Sequence, residues 1–288
     1  MDTTHTNVID PTQAFNQGFV SRKALTDGHN DVNVMIPLNR YGFFEELENR
    51  MLVPMQLQFE INLQSDNELI YGLDTGRVVV NRFLLWIPKM IPKDSLYDKF
   101  VNSYLEKSTW AYNRERYAVS APTQSSGFFQ ISPSIDNVKA VFVYLQGKKT
   151  DEMSSNPYIM DTFKLNLADN NSHLTTCRLE YGNGVFYPEI EYDSESKIRI
   201  FNDLMAYADR RNDYNTGTQL NLSNYNSLYS LIFFDLSFQT TKVTRDPKQL
   251  IFRYKLSANS TAPFRVHAVV LYEEEVVIDK IGNELVIV

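Results

Sequence analysis

The chain has 288 residues, of which 43% are hydrophobic, 13% aromatic and 22% charged, and its formal net charge is -7. This length allows one large domain or two of ordinary size, and either can bury a real core. The acidic balance excludes a surface that wraps nucleic acid directly, because such binding needs basic side chains that neutralise phosphates.

The single cysteine, Cys177, rules out an intramolecular disulfide framework and fits a reducing compartment. Residues 1–16 are polar and lack an apolar signal core. No later stretch approaches the roughly 20 apolar residues that a membrane-spanning helix needs. We therefore expect a non-secretory protein without a membrane span.

In chain order, the clearest periodicity runs from Met55 to Leu63, where odd positions are apolar and even positions are polar. It predicts a strand with one face in solvent. This strand buries Leu57, Phe59 and Ile61 and exposes Gln58 and Glu60. Similar runs, bounded by Gly, Pro, Asp or Asn, predict further strands. In the first half these lie near residues 32–38, 77–87, 110–119, 127–132 and 138–146.

Two helices are predicted from apolar residues that recur at helical spacing, one over Ser95 to Lys107 and one over Glu195 to Arg210. Strand patterns surround the second helix. They lie near residues 158–167, 174–181, 185–192, 228–237, 249–257, 264–272 and 284–288.

These elements predict an all-β fold of jelly-roll sandwiches with two short covering helices. The two halves have similar lengths, and each holds several strands and one helix. The predicted domains are therefore one jelly roll over residues 1–147 and a second over residues 148–288. No residue-level repeat shows a duplication.

The sequence carries no recognisable catalytic, cofactor-binding or metal-binding residue. The four histidines are scattered and form no metal-binding pair, and no phosphate loop or nucleophile elbow is present. His173 and Cys177 are four residues apart on a predicted strand, so a buried structural thiol is favoured over a nucleophile. The run Glu273 to Glu275 predicts a solvated turn. We expect a protein that is not an enzyme.

The strand after the first helix carries the candidate contact surface, which consists of Trp110, Tyr112, Arg114 and Arg116 on one strand face. Such a face can stack bases or sugars. It can equally form a protein interface, because aromatic residues and arginine dominate binding hot spots. In an acidic chain the interface is the favoured interpretation.

Several phrases of the chain form an ordered set between Phe15 and Val288. They are residues 15–22, 34–38, 41–44, 85–88, 141–146, 156–157, 178–181 and 231–237. In this order they resemble capsid-like proteins of Polinton (Maverick-like) elements and viruses, including integrated copies in invertebrate genomes. None of the phrases is a catalytic signature.

This resemblance implies a double jelly-roll major capsid protein whose homotrimer is a tile of an icosahedral shell. Its partners would be further copies of the chain and other capsid proteins. Its location would be the virion, assembled in the host cytoplasm or nucleus. Relatives carry a strand-rich segment before the Phe15 phrase, which implies an incomplete first jelly roll and leaves a truncated, domesticated or minor-capsid version open.

Two other functions stay open at this point. One is a β-sandwich module that binds carbohydrate or a protein ligand through aromatic side chains such as Trp110, Tyr112, Tyr214 and Tyr225. The other is a hydrolase whose site the sequence does not reveal.

Overall fold

A computed structural model describes residues 24–25, 31–38, 42–46, 60–62, 79–87, 93, 108–122, 124–147, 160–162, 165–167, 170–182, 184–185, 189–191, 194–210, 220–227, 229–238, 247–257, 264–279 and 284–287. Contacts divide the chain into two compact units. Unit 1 comprises Met1–Ile36 and Glu115–Tyr272, and unit 2 comprises Pro37–Arg114 and Glu273–Val288.

Strands dominate the described residues. They are β1 Ser108–Ser120, β2 Ser126–Ile135, β3 Val138–Gly147, β4 Met160–Asp161, β5 Leu165–Leu167, β6 Asn170–Ser172, β7 Leu174–Tyr181, β8 Gly184–Val185, β9 Ile190–Glu191, β10 Tyr229–Ser230, β11 Ile232–Asp235, β12 Lys248–Leu256, β13 Phe264–Asp279 and β14 Glu284–Ile287. The helices whose two ends both lie in the described residues are α1 Phe43–Glu46, α2 Ser194–Arg210 and α3 Leu222–Ser227.

The strands form two main antiparallel sheets. Sheet A has the order β1-β13-β3-β11, with β14 on β13, and sheet B has the order β2-β12-β7-β8, with β9 on β7. The pairing is nested: β1 pairs with β13, β2 with β12, β3 with β11, and β7 with β8 and β9. Successive pairs alternate between the sheets, which is what a long antiparallel hairpin wrapped into a sandwich produces. The predicted jelly-roll fold class is confirmed.

The core lies between the two sheets, where alternating side chains point inward. On β3 the inward residue Val143 is fully buried and is paired with the equally buried Ala268 of β13. Rings from the two sheets meet in the middle: Phe234 lies 6.3 Å from Phe252, and Tyr254 lies 5.8 Å from Phe264, both edge-on. This burial is the main favourable term for the fold.

Helix α2 covers part of the outer face of sheet A. Its buried residues include Leu204 and Tyr207, at helical spacing. The Tyr207 ring lies 5.0 Å from Phe233 of β11 and 6.2 Å from Phe142 of β3. The predicted helix over residues 195–210 is confirmed, whereas the one over residues 95–107 lies outside the described residues.

Most strand predictions from residue 108 onward are confirmed within a few residues at their start. Those near residues 110–119, 127–132, 138–146, 174–181, 249–257, 264–272 and 284–288 match β1, β2, β3, β7, β12, β13 and β14. The predictions near residues 158–167, 185–192 and 228–237 each correspond to short, separated strands. Alternation therefore located the long paired strands best.

Three strand predictions in the first hundred residues are wrong where they can be compared. None of residues 31–37, 60–62 and 79–87 lies in a strand, and Ile61 is 55% exposed instead of buried. The alternation of apolar and polar residues indicates which face of a strand could be buried. A strand also needs a neighbouring strand that forms hydrogen bonds with its backbone N–H and C=O groups. The rest of the run over residues 55–63 lies outside the described residues.

The predicted domain boundary after residue 147 cuts through both sheets. The strands β1, β2 and β3 precede it, and each pairs with a strand that follows it, namely β13, β12 and β11. Contacts accordingly place residues 115–272 together in unit 1. Nested pairing thus joins positions that are far apart in sequence.

Candidate assembly surface

Strand β1 carries the four residues of the predicted contact face. Alternation along a continuous strand keeps Trp110, Tyr112, Arg114 and Arg116 on one side of it. Tyr112 is half-buried, and Arg114 and Arg116 are exposed. The side chain of Trp110 lies outside the described residues.

Two of these side chains bind a carboxylate within the chain. The Tyr112 hydroxyl donates to Oε2 of Glu274 at 2.5 Å, and Arg114 Nη1 donates to both carboxylate oxygens at 2.9 Å. The Glu274 side chain is 14% exposed and that of Arg114 is 50% exposed. Both side chains are thereby held in one orientation, and half of the Arg114 side chain is exposed.

The prediction of a solvated turn at residues 273–275 is wrong. Strand β13 continues through these residues to Asp279, and all three glutamates are half-buried. The charge run suggested a turn because carboxylates favour solvent. Here the Arg114 guanidinium and the Tyr112 hydroxyl satisfy Glu274, so the strand can carry it.

A second cluster, on the outer face of sheet A, consists of Tyr117, Tyr144 and His267. The Tyr144 ring stacks on the imidazole with centroids 4.5 Å apart and planes 5° from parallel. The Tyr117 hydroxyl is hydrogen-bonded to Nδ1 of His267 at 2.6 Å. Nε2 is buried with no hydrogen-bond partner among the residues that the structure describes.

The environment of this cluster keeps its groups uncharged near neutral pH. Burial, with a smaller effect of Arg265, lowers the pKa of His267 to about 4. Burial, with a smaller effect of Tyr117, raises the pKa of Tyr144 to about 12. A neutral imidazole that is 5% exposed acts as a packing element between two aromatic rings.

The outer face of sheet B carries a charged and aromatic row across three strands. The register places Arg253 of β12 between Phe128 of β2 and Arg178 of β7. Oε1 of Glu180 accepts from Arg253 Nε at 2.7 Å and lies 2.8 Å from Arg178 Nη2. The Arg253 guanidinium lies 5.6 Å from the centre of the Phe128 ring, within cation–π range.

This row lowers the pKa of the Glu180 carboxyl below its ordinary value, first through the hydrogen bond from Arg253 and also through the charges of Arg253 and Arg178. Phe128 is 62% exposed. Two guanidiniums on one carboxylate leave a net positive charge beside an exposed ring, on a chain whose net charge is -7. Such a surface can receive an acidic or aromatic partner group.

Cys177 and His173 occupy different environments. Cys177 faces the core at 1% exposure, and burial followed by the charge of Glu189 raises the pKa of its thiol far above the usual range. His173 is exposed. The prediction of a buried structural thiol on a strand is confirmed.

One of the aromatic side chains suggested for carbohydrate binding is not at the surface. Tyr225 is fully buried, and its hydroxyl donates to the carbonyl oxygen of Leu231 at 2.7 Å. Burial also raises its pKa strongly. Its ring lies 5.2 Å from that of Phe201 in α2, so it is a packing residue, and Tyr214 lies outside the described residues.

Within the described part of the chain, no three His, Cys, Asp or Glu side chains form a group that could hold a metal ion. Among the same residues, no helix is long and apolar enough to cross a membrane.

Comparisons with known proteins return solved structures only. No protein-family model and no curated protein sequence matches the chain. A chain of the Sputnik virophage structure matches at 10% identity and a TM-score of 0.36, over 63% of this chain and 39% of that chain. A chain of the PBCV-1 virus capsid matches at 6% identity and a TM-score of 0.37, over 66% and 54%.

A third match is PBCV-1 VP54 as fitted into the Sputnik reconstruction, at 8% identity and a TM-score of 0.34, over 66% of this chain and 53% of that chain. The chain thus spans between about two fifths and just over half of the chains it matches. Likeness at this level carries no inference about function, and the jelly-roll assignment rests on the strand pairing of the chain itself.

Sequence reasoning missed both clusters on the outer sheet faces. His267 was visible as a lone histidine in an apolar strand, but its tyrosine neighbours lie on strands far away in sequence. In the sequence, the charged residues around Glu180 are visible only as polar positions that alternate with apolar ones on separate strands. Register between strands, which local patterns do not contain, brings these groups together.

Proposed function

We propose that this chain is a structural capsid-type protein that works by assembling with copies of itself, and not an enzyme. The observation that carries the proposal is the nested pairing of its strands, because jelly rolls build viral capsid shells as well as lectin and cupin domains. Among these functions, the ordered sequence phrases that resemble Polinton capsid-like proteins favour the shell.

The assembled form proposed here is a homotrimer that serves as a tile of an icosahedral shell, with other capsid proteins as further partners. Its location is the virion, after assembly in the host cytoplasm or nucleus. The strands of unit 1, residues 115–272, form one roll of a double jelly roll, and unit 2, which includes the start of β1 and the end of β13, belongs to the other. The face of β1 with Trp110, Tyr112, Arg114 and Arg116 is one contact surface.

Support for this surface comes from its geometry. Arg116 is exposed, and Arg114 is half-exposed yet fixed in direction by Glu274. A preoriented guanidinium loses less side-chain freedom when a partner binds it, which favours association.

Light scattering of the purified chain across a range of concentrations tests the proposal. We expect a mass of about 100 kDa, which corresponds to the trimer, against 33.4 kDa for one chain. Electron microscopy of the same sample should show threefold particles or shells. A strict monomer up to high micromolar concentration contradicts the proposal, and a monomer that binds glycans on an array favours the carbohydrate module.

The contact face of β1 has its own test. Arg116→Glu should shift the light-scattering mass toward the monomer, because it places a like charge at the contact. Lys255→Glu, an equal charge change at an exposed position on β12, is the matched control and should leave the mass unchanged. Equal effects of both changes would point to net charge instead of this face.

A further inference from the structure

Strand β1 has an edge that no other described strand covers. It is the end strand of sheet A, and among the described strands only β13 pairs with it. It is 13 residues long and contains neither proline nor glycine. The backbone N–H and C=O groups on the unpaired side of such a strand can bind a further strand. The part of this edge that belongs to unit 1, Glu115–Ser120, is called the open edge.

The other edges of the two main sheets are shorter or interrupted. β11 has four residues and β8 has two. β2 is longer, but it contains the exposed Pro133, and its pairing with β12 shifts register twice near Leu250. Short length, proline and bulges are features that protect sheet edges from added strands. Among the described edges, the long and proline-free β1 therefore accepts a further strand most readily.

Residues 32–36, called the unpaired segment, have the complementary feature within the same unit. Val32, Val34 and Ile36 are β-branched and occupy alternate positions, a pattern that favours a strand. All five residues are exposed, and none lies in a helix or strand. None of the described backbone hydrogen bonds involves them. Unit 1 thus holds a strand-like segment without a partner and a strand edge without a partner.

We propose that the unpaired segment of one copy adds as a strand to the open edge of β1 in the next copy. The inference rests on the proposed function, in which the partner is another copy of this chain. The segment pairs with no described strand of its own chain, so its backbone groups are available to a neighbouring copy. In this mode of binding, hydrogen bonds of the main chain supply the affinity and the alternate side chains supply the specificity.

An antiparallel register brings apolar side chains together on the outer face of sheet A. It sets Val32 opposite Val119, which is 49% exposed on β1. Two residues along, Val34 then lies opposite Tyr117, which is 53% exposed. Cross-strand pairs of aromatic and β-branched side chains stabilise a sheet. Pairing of β1 with its own copy, centred on Glu115, would instead place two carboxylates opposite each other, which is unfavourable.

The two elements that meet are unlike, so the contact is head-to-tail. Each copy gives one segment and receives another. Contacts of this kind form rings or filaments, whereas a patch that binds its own copy forms a closed dimer. A threefold tile is a ring of three head-to-tail contacts, which this strand addition supplies.

A pair of proline substitutions tests whether backbone groups carry the contact. Adjacent N–H groups of a strand point to opposite sides, so Val34→Pro with Met35→Pro removes whichever of the two faces the open edge. Light scattering should then give the 33.4 kDa of one chain instead of the trimer. Val34→Thr with Met35→Thr is the matched control, because it keeps both N–H groups, and it should stay trimeric. Both positions are exposed, so the variants should fold.

A disulfide between copies tests the register. The double variant Val32→Cys with Val119→Cys places one thiol on each element, while the native Cys177 is buried. Directly opposite positions of paired strands lie within reach of a disulfide. After mild oxidation, a non-reducing denaturing gel should show covalent trimers of about 100 kDa. Each single variant, oxidised alone, is the control and should stay at 33.4 kDa.

Other occupants of the open edge give different results, and each overturns the contact. A disulfide that closes within one chain leaves the double variant at 33.4 kDa and shows that the segment binds its own edge. Dimers of Val119→Cys alone show that β1 pairs with itself. Loss of the trimer in the threonine control shows that side chains, and not backbone groups, hold the copies together.

The same measurements separate this contact from the proposed function. If wild type is a monomer, both fail. If wild type is a trimer and the proline variant keeps that mass, or the double variant forms no disulfide between copies, the contact is wrong and the proposed function stands.

Discussion

At the scale of single residues, buried polar groups show how the fold treats its few titratable side chains. His267 lies near the start of β13, stacked on Tyr144 and hydrogen-bonded to Tyr117, and stays neutral near pH 7 because burial disfavours its charged form. Glu180 and Glu274 instead bind arginine side chains, and this binding lowers the pKa of Glu180. Each group is paired or neutral, as burial requires.

The pH dependence of stability should depend on His267. Its folded pKa of about 4 lies below the ordinary 6.5, so between these values the unfolded chain binds more protons and the free energy of unfolding falls as pH is lowered. In His267→Phe this loss should shrink by roughly 1–3 kcal/mol between pH 7 and pH 4, since phenylalanine keeps the stack without titrating.

Denaturant unfolding monitored by dichroism at the two pH values measures this difference. His173→Phe is the control, because His173 is exposed, and its pH profile should match that of wild type. An unchanged profile in His267→Phe would show that His267 does not carry the dependence.

Cys177 offers a second residue-scale test. As the single cysteine, buried at 1% exposure with a raised pKa, it should react with a thiol reagent only after the chain opens. We expect negligible labelling in native buffer at pH 8 and complete labelling in denaturant. Rapid labelling under native conditions would mean that β7 opens easily or that the thiol is accessible.

At the scale of elements, the register of β2 decides which of two adjacent phenylalanines faces the core. Phe129 points into the core at 7% exposure, while its neighbour Phe128 points outward at 62%. The turn from β2 to β3 takes only Asp136 and Asn137, and Asn137 adopts a φ of 48°, which asparagine tolerates better than most residues. This corner carries the chain from sheet B to sheet A.

These two neighbours provide a matched stability test. Phe129→Ala should lower the free energy of unfolding by about 3–5 kcal/mol through the cavity it leaves. Phe128→Ala should cost at most about 1 kcal/mol, mainly through its lost contact with Arg253. Denaturant titration of both variants measures the difference, and equal losses would indicate a different register or a second buried face.

At the scale of the whole molecule, nested pairing makes the two halves of the chain depend on each other. Strand β3, which ends at Gly147, lies between β11 and β13 in sheet A, and both of these come from the second half. Sheet B likewise joins β2 to β12. Neither half contains a complete sandwich of described strands.

Separate expression of residues 1–147 and 148–288 tests this dependence. We expect neither fragment to unfold cooperatively alone, because each lacks the neighbours of its central strands, and we expect mixing to restore strand dichroism. A fragment of residues 148–288 that melts cooperatively by itself would support the predicted boundary after residue 147.

The sequence alone determined a great deal about the local elements of this protein. Alternation located β1, β2, β3, β7, β12 and β13, and helical spacing located α2, because these periods report directly which side chains can be buried. The buried state of Cys177 followed from the same pattern. The sequence also shows directly that its four histidines are scattered and that no apolar run approaches the length of a membrane-spanning helix.

Only the tertiary structure decided how the elements pair. Whether a run becomes a strand depends on a neighbour elsewhere, which is why residues 79–87 match a buried strand in composition yet lie exposed. Long-range register also brought Tyr117 to His267 and Arg114 to Glu274, and it joined the two halves in one jelly roll. Local periodicity contains no information about these partners, because hydrogen bonds between strands connect backbone groups regardless of their separation in sequence.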